Sequence, residues 1–155
     1  MPAASEPSTG LPALPRTWRP LGPRVVGIVV TCALIAVVAA GWFGFDAKTR
    51  AEFTWIQRLT LVAFGLIYLA VMYALIRCRA VAYVDRLVVV NGFVRHEFEW
   101  PQIVAARLPP GAPWVTLDLA DGETASVMGI QGSDGARARA ALRELKALVE
   151  AASAP

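Results

Sequence analysis

A single histidine and two cysteines are the only imidazole and thiol groups in the 155 residues. Structural and catalytic zinc sites need three or four convergent ligands. Cys32 lies inside one apolar run and Cys78 just after another, so neither a metal centre nor a disulfide framework is expected. A phosphate-cradling glycine loop is missing too, because Gly111, Gly122, Gly129, Gly132 and Gly135 lack the spacing and the Lys-Ser/Thr that such a loop requires. No serine occupies a nucleophile elbow. Glu97 and Glu99 stand two apart beside Arg95, which describes a solvated strand face better than a pair of catalytic carboxylates. His96 falls on the apolar face of the same strand and is expected to be a core histidine. No cofactor and no enzymatic activity are anticipated.

Charge is missing over two long stretches, 21 residues from Val25 to Phe45 and 18 from Leu59 to Ile76. At ~1.5 Å per residue these make helices of ~31 and ~27 Å, against a bilayer core of ~30 Å. Both are read as transmembrane. Arg16, Arg19 and Arg24 before the first run resemble the start of a signal peptide, but the run continues through Trp42, Phe43 and Phe45, beyond the ~7–15 residues of a signal core. With no Asp, Glu, Lys or Arg inside either span, a proton or ion path has no relay. Arg16, Arg19, Arg24, Arg77 and Arg79 flank the outer ends of the pair, against Lys48, Arg50 and Arg58 in the connection. This bias puts both termini on the cytoplasmic side of a plasma membrane crossed twice. The net charge of +3 suggests no nucleic-acid partner once it is divided by segment, because residues 77–155 hold nine basic and nine acidic groups.

Six of the eleven prolines lie in the first 23 residues, and residues 1–22 are expected to form a disordered cytoplasmic tail. The helical hairpin takes residues 23–78, with helices at about 25–45 and 59–76. From residue 79 to 155 the pattern changes to short β-branched runs. Strands are predicted at 80–84, 87–90, 94–100, 103–108, 114–119 and 124–128, with hairpin turns at Asn91-Gly92 and Asp121-Gly122. An amphipathic helix follows from about Ala136, its stripe formed by Ala138, Ala141, Leu142, Leu145, Leu148, Val149 and Ala152.

Strands followed by one C-terminal capping helix resemble the pleckstrin-homology (PH) fold, a small α+β domain built on an antiparallel sandwich or barrel. The run Val-Asp-Arg-Leu-Val-Val-Val-Asn-Gly (84–92) and Glu-Trp-Pro-Gln-Ile-Val (99–104) is similar to membrane-anchored bacterial PH-domain proteins of actinobacteria, the group that includes the low molecular weight protein antigen 6. Six strands are counted where a full PH domain has seven, a discrepancy that falls on the first or last strand. The resemblance implies a membrane-anchored binding or scaffolding module that engages a protein partner, a second copy or inner-leaflet lipid. The alternative is an accessory structural subunit of a larger membrane complex. Phosphoinositide recognition does not carry over, because no basic run follows Asp85-Arg86. The candidate membrane-surface contacts are Arg77, Arg79 and Arg86, each worth about 1 kcal/mol near an anionic leaflet.

Overall fold

A computed structural model describes residues 11–154. It divides the chain into two compact units, one formed by Leu21–Arg77 and the other by the segments on either side of it.

The first unit is a helical hairpin. Helix α1 (Gly22–Gly44) opens with Pro23 in its first turn, where the missing N–H costs nothing. It ends before Asp46, whose carboxylate accepts the Thr49 N–H at 2.7 Å and caps the short helix α2 (Ala47–Glu52). Helix α3 (Trp55–Arg77) is started by a reciprocal pair, Thr54 N–H donating to Gln57 Oε1 and Gln57 N–H donating to Thr54 Oγ1, the logic of a capping box. Neither long helix buries a residue. Both are long and apolar enough to cross a membrane. Thr31 and Tyr68 share a hydrogen bond of 3.1 Å between α1 and α3. In the connection, Trp42 and Phe45 pack on Phe53 at 5.8 and 5.9 Å, and Arg58 lies over Trp42 while donating to the carbonyls of Phe53 and Arg50. Arg58 thereby holds the bend together.

The second unit is a PH-like sandwich of seven strands and one helix. Strands β1 (Arg16–Trp18), β2 (Arg79–Ala82), β3 (Arg86–Asn91) and β4 (Val94–Glu99) form one antiparallel sheet in that order. Strands β5 (Ile103–Arg107), β6 (Trp114–Leu119) and β7 (Thr124–Gln131) form the other. Leu87 and Val89 from the first sheet and Ile103, Val115, Leu117 and Val127 from the second make one core. Helix α4 (Ala136–Ser153) completes it with Ala138, Leu145, Leu148 and Val149, members of the stripe predicted from periodicity. The six predicted strands are β2 to β7.

The seventh strand corrects the expected tail. Residues 16–18 pair with β2 as Arg16↔Ala82, Thr17↔Val81 and Trp18↔Ala80, and Trp18 enters the core. A three-residue strand within the four residues between Pro15 and Pro20 carries no periodicity, and proline is tolerated at a sheet edge because one side of such a strand needs no ladder. The expectation for residues 1–10 lies outside the described residues. The sandwich is therefore discontinuous in sequence, with the helical hairpin inserted between its first two strands.

The chain also corrects the reading of His96. Its register opposite Val89 puts it on the core side, but β4 is the sheet's last strand and the imidazole is exposed, lying against Phe98 at 6.0 Å. Alternation assigned the face; it carried no information about where the sheet stops.

Candidate functional site

Both connections to the helices leave from one end of the first sheet. Trp18, three residues before Leu21, pairs with Ala80, and β2 begins two residues after α3 ends at Arg77. Several short-range features build this end. Asn91 pairs with Val94, so the two residues of the β3–β4 turn are Gly92 and Phe93. Gly92 has φ +61°, a value at the first turn position that suits glycine best. The Gly92 N–H donates to Sγ of Cys78 at 3.3 Å, and that thiol is buried. The turn is thus tied to the residue that follows α3.

Asn91 is released from the turn centre to link the two sheets. Its amide Nδ2 donates to the Ser126 carbonyl at 2.7 Å, and its Oδ1 accepts the Met128 N–H at 3.0 Å. Where β7 crosses β2, Gly129 permits contact between backbones: a Cβ there would stand 2.5 Å from the Ala80 nitrogen and 2.6 Å from the Arg79 carbonyl carbon. The sequence marked Asn91-Gly92 as a turn but held no sign of this second task, because its partners lie more than thirty residues away.

The three arginines singled out from sequence separate into two places. Arg77 ends α3 with its guanidinium 5.4 Å from the centre of the Tyr73 ring. Arg79 opens β2 on the rung it shares with Val90. Arg86 opens β3, four residues from Val90, or ~13 Å along the strand. It pairs with Asp85 at 3.0 Å and Glu97 at 2.9 Å. The hydrogen bond to Glu97, then that to Asp85 and both charges, raise its pKa further above its ordinary value. Arg86 belongs to the far end of the hairpin and is occupied there. Its counterpart near the connections is Arg95, which the sequence reading passed over: it faces Val90 from β4 as Arg79 does from β2. Cross-strand partners share a face, so Arg79 and Arg95 flank Val90 one rung behind the turn.

A cleft of ≈ 390 Å³ opens between β1 and α4, lined by Arg16, Trp18, Arg19, Gln131, Arg137 and Glu144 among others. Glu144 accepts two hydrogen bonds from Arg16 at 2.8 Å and one from Trp18 Nε1 at 2.9 Å. Burial by itself would raise the pKa of this carboxyl, but the hydrogen bonds and charge of Arg16 together with Trp18 hold it below the ordinary glutamate value. The cluster fastens β1 to the helix. The motif Glu99-Trp100-Pro101-Gln102 is likewise structural. Gln102 Oε1 accepts the Glu99 N–H at the corner between sheets, and Trp100 Nε1 donates to the carbonyls of Tyr83 and Val84. Among the described residues no three His, Cys, Asp or Glu side chains converge to hold a metal.

Residues 77–148 match the family model for the bacterial PH domain. Uncharacterized proteins from Mycobacterium tuberculosis and Mycobacterium bovis are 26% identical over 132 residues, which is 85% of this chain and 84% of theirs. No solved structure matches the chain significantly. The matched segment starts at the end of α3 and omits β1, which reaches the sandwich from the other side of the helical hairpin. The sandwich, closed by its C-terminal helix, is similar to the bacterial PH domain family over the segment from β2 to α4.

Proposed function

We propose that this protein is a membrane-anchored binding module in which α1 and α3 span the bilayer and the PH domain presents a protein-docking surface on the cytoplasmic side. The observation that carries the anchored reading is the pairing of β1 with β2. Strands on either side of the helical hairpin share one sheet, which requires the start of α1 and the end of α3 to lie on the same side of a membrane. An even number of crossings meets that requirement. The excess of basic residues at those ends favours the cytoplasmic side.

Charge pairing favours protein over lipid headgroups as the ligand. Arg16, Arg86, Arg95 and Arg107 are each engaged by a carboxylate of the domain, so the guanidinium groups are dispersed among internal partners instead of converging on one anion. Surface pairs of this kind add little stability, typically 0–1 kcal/mol, yet they lower the net attraction for phosphate. PH domains in general bind rather than catalyse, and a double tether raises the effective concentration of such a module at the membrane.

Photo-crosslinking of the full chain in native membranes tests this. A crosslinker placed at Val104, exposed on β5, is expected to yield a reproducible protein adduct, while one at Leu34 within α1 yields chiefly lipid. Adducts confined to α1 and α3 would replace this reading with that of an accessory subunit. Headgroup-selective lipid adducts at Val104 would replace it with lipid recognition.

A further inference from the structure

We infer that the bend of the helical hairpin holds one phospholipid: an acyl chain lies in a slot between α1 and α3, and the lipid phosphate meets Arg58 at its mouth. This rests on the anchored reading above and gives the anchor a ligand of its own, built from the hairpin alone.

The slot follows from how the two helices meet. Far from the bend they are close, since a Cβ on Gly27 would stand 3.6 Å from Sδ of Met72 and Thr31 bonds to Tyr68 at 3.1 Å. Toward the bend a cavity of ≈ 610 Å³ opens, within the ~300–1,000 Å³ of ordinary ligand sites. Val38, Gly41, Trp42 and Phe45 line it from the end of α1, and their spacing of three and four puts them on one face. Leu61 and Val62 do the same from α3. Gly41 leaves the space open: a Cβ there would meet nothing within 4 Å.

The mouth carries the chemistry. Arg58 lines the cavity beside Phe53, its Nε donating to the Phe53 carbonyl at 3.1 Å and its Nη2 to the Arg50 carbonyl at 2.7 Å. The guanidinium lies 5.5 Å from the centre of the Trp42 ring. These neutral partners fix the group in place while using two of its five N–H donors. Among the described residues no carboxylate pairs with it. A positioned, uncompensated cation thus stands over an apolar slot, a combination that matches a phosphodiester joined to a hydrocarbon chain. Its level fits as well. Arg58 immediately precedes the uncharged run that starts at Leu59, and Phe43 and Trp55 are exposed at the same end of the hairpin, where aromatic rings favour the boundary between headgroups and chains.

Length selects a lipid chain over a partner helix. A crossing helix needs a groove along the whole ~30 Å core, whereas Val38 to Phe45 covers only ~10 Å and the helices close again at Thr31 and Tyr68. An acyl chain entering from the headgroup level needs no more than that.

Native mass spectrometry of the full chain, released from mild detergent with added phosphatidylglycerol, tests the inference. Wild type is expected to keep one phosphatidylglycerol under activation that strips the detergent. Gly41→Leu fills the slot and should lose the adduct. Gly44→Leu should keep it, because that glycine also has nothing within 4 Å but does not line the slot. Diacylglycerol with the same chains lacks the phosphate and should be retained several-fold less. Equal retention by Gly41→Leu and Gly44→Leu, or a wild-type chain that keeps no lipid, would overturn the slot. Diacylglycerol held as firmly as phosphatidylglycerol would overturn the role given to Arg58. Alkaline carbonate extraction of membranes reads the anchor separately: a chain that stays with the membrane yet keeps no lipid loses only the slot, and release into the supernatant would overturn the anchored reading itself.

Discussion

Trp18→Ala should destabilise the PH-like domain by about 3–5 kcal/mol, the range for truncating a buried tryptophan, even though position 18 lies outside the segment that matches the family model. Trp18 is 6% exposed within the same core as Leu87, Leu117 and Leu145. Its loss opens a cavity against β2 and takes one of the three donors from Glu144. Domains of this size have only about 5–15 kcal/mol to lose, so the variant sits close to the unfolding threshold at 37 °C. Trp18→Phe removes the donor while a smaller ring still fills part of the site, for a cost between that of one hydrogen bond to a charged group, about 1.5–3 kcal/mol, and that of full truncation, with the carboxylate keeping Arg16. Urea denaturation of the full chain in detergent measures both. A loss below about 0.5 kcal/mol for Trp18→Ala, the range of ordinary surface positions, would remove β1 from the core.

Gly129→Val is expected to be at least as severe. A Cβ at this position meets three backbone atoms of Arg79 and Ala80 between 2.5 and 2.8 Å, and backbone inside a sheet cannot rotate away as a side-chain terminus can. Overpacking usually costs about 1–3 kcal/mol when side chains give way. Here β7 must lift from β2, which also strains the bonds from Asn91 to Ser126 and Met128, so the cost should reach or exceed the top of that range. Limited proteolysis of the full chain should show faster cleavage within residues 79–154, with the helical hairpin unaffected. Wild-type resistance in Gly129→Val would mean that the two sheets do not meet at this glycine.

The sequence disclosed those elements whose signal is local. Two uncharged runs announced α1 and α3, short β-branched runs between turn residues announced β2 to β7, and the spacing of Leu142, Leu145 and Leu148 announced the buried face of α4. Strand β1 has no local signal: Arg-Thr-Trp between prolines becomes a strand only because β2, more than sixty residues later, offers it an edge. The missing seventh strand of the PH resemblance was this one. The three arginines of the candidate site are divided for a related reason. Arg77, Arg79 and Arg86 are neighbours along the chain, but the β2–β3 hairpin carries Arg86 away from the helix connections and the β3–β4 hairpin brings Arg95 back toward them. Nearness along the chain predicts nearness in a sheet only after the turns are known. Asn91 illustrates the same limit, since a turn was legible there, one residue before its actual centre at Gly92 and Phe93, and its cross-sheet bonds were not.

The central claim is that the domain's first strand arrives from before the helical hairpin, and a disulfide between β1 and β2 tests it most directly. Thr17 and Val81 are paired across the strands, where Cα separations of about 4.5–5.5 Å suit the 4.4–6.8 Å span of a disulfide. In the full chain in membranes, with Cys32→Ser and an engineered protease site in the connection between α1 and α3, Thr17→Cys with Val81→Cys is expected to crosslink on mild oxidation. After cleavage the two halves should stay joined until reductant is added, whereas Thr17→Cys paired with Val84→Cys should fall apart. Halves that separate without reductant in the Thr17–Val81 variant, while the domain remains folded and protease-resistant, would contradict the account.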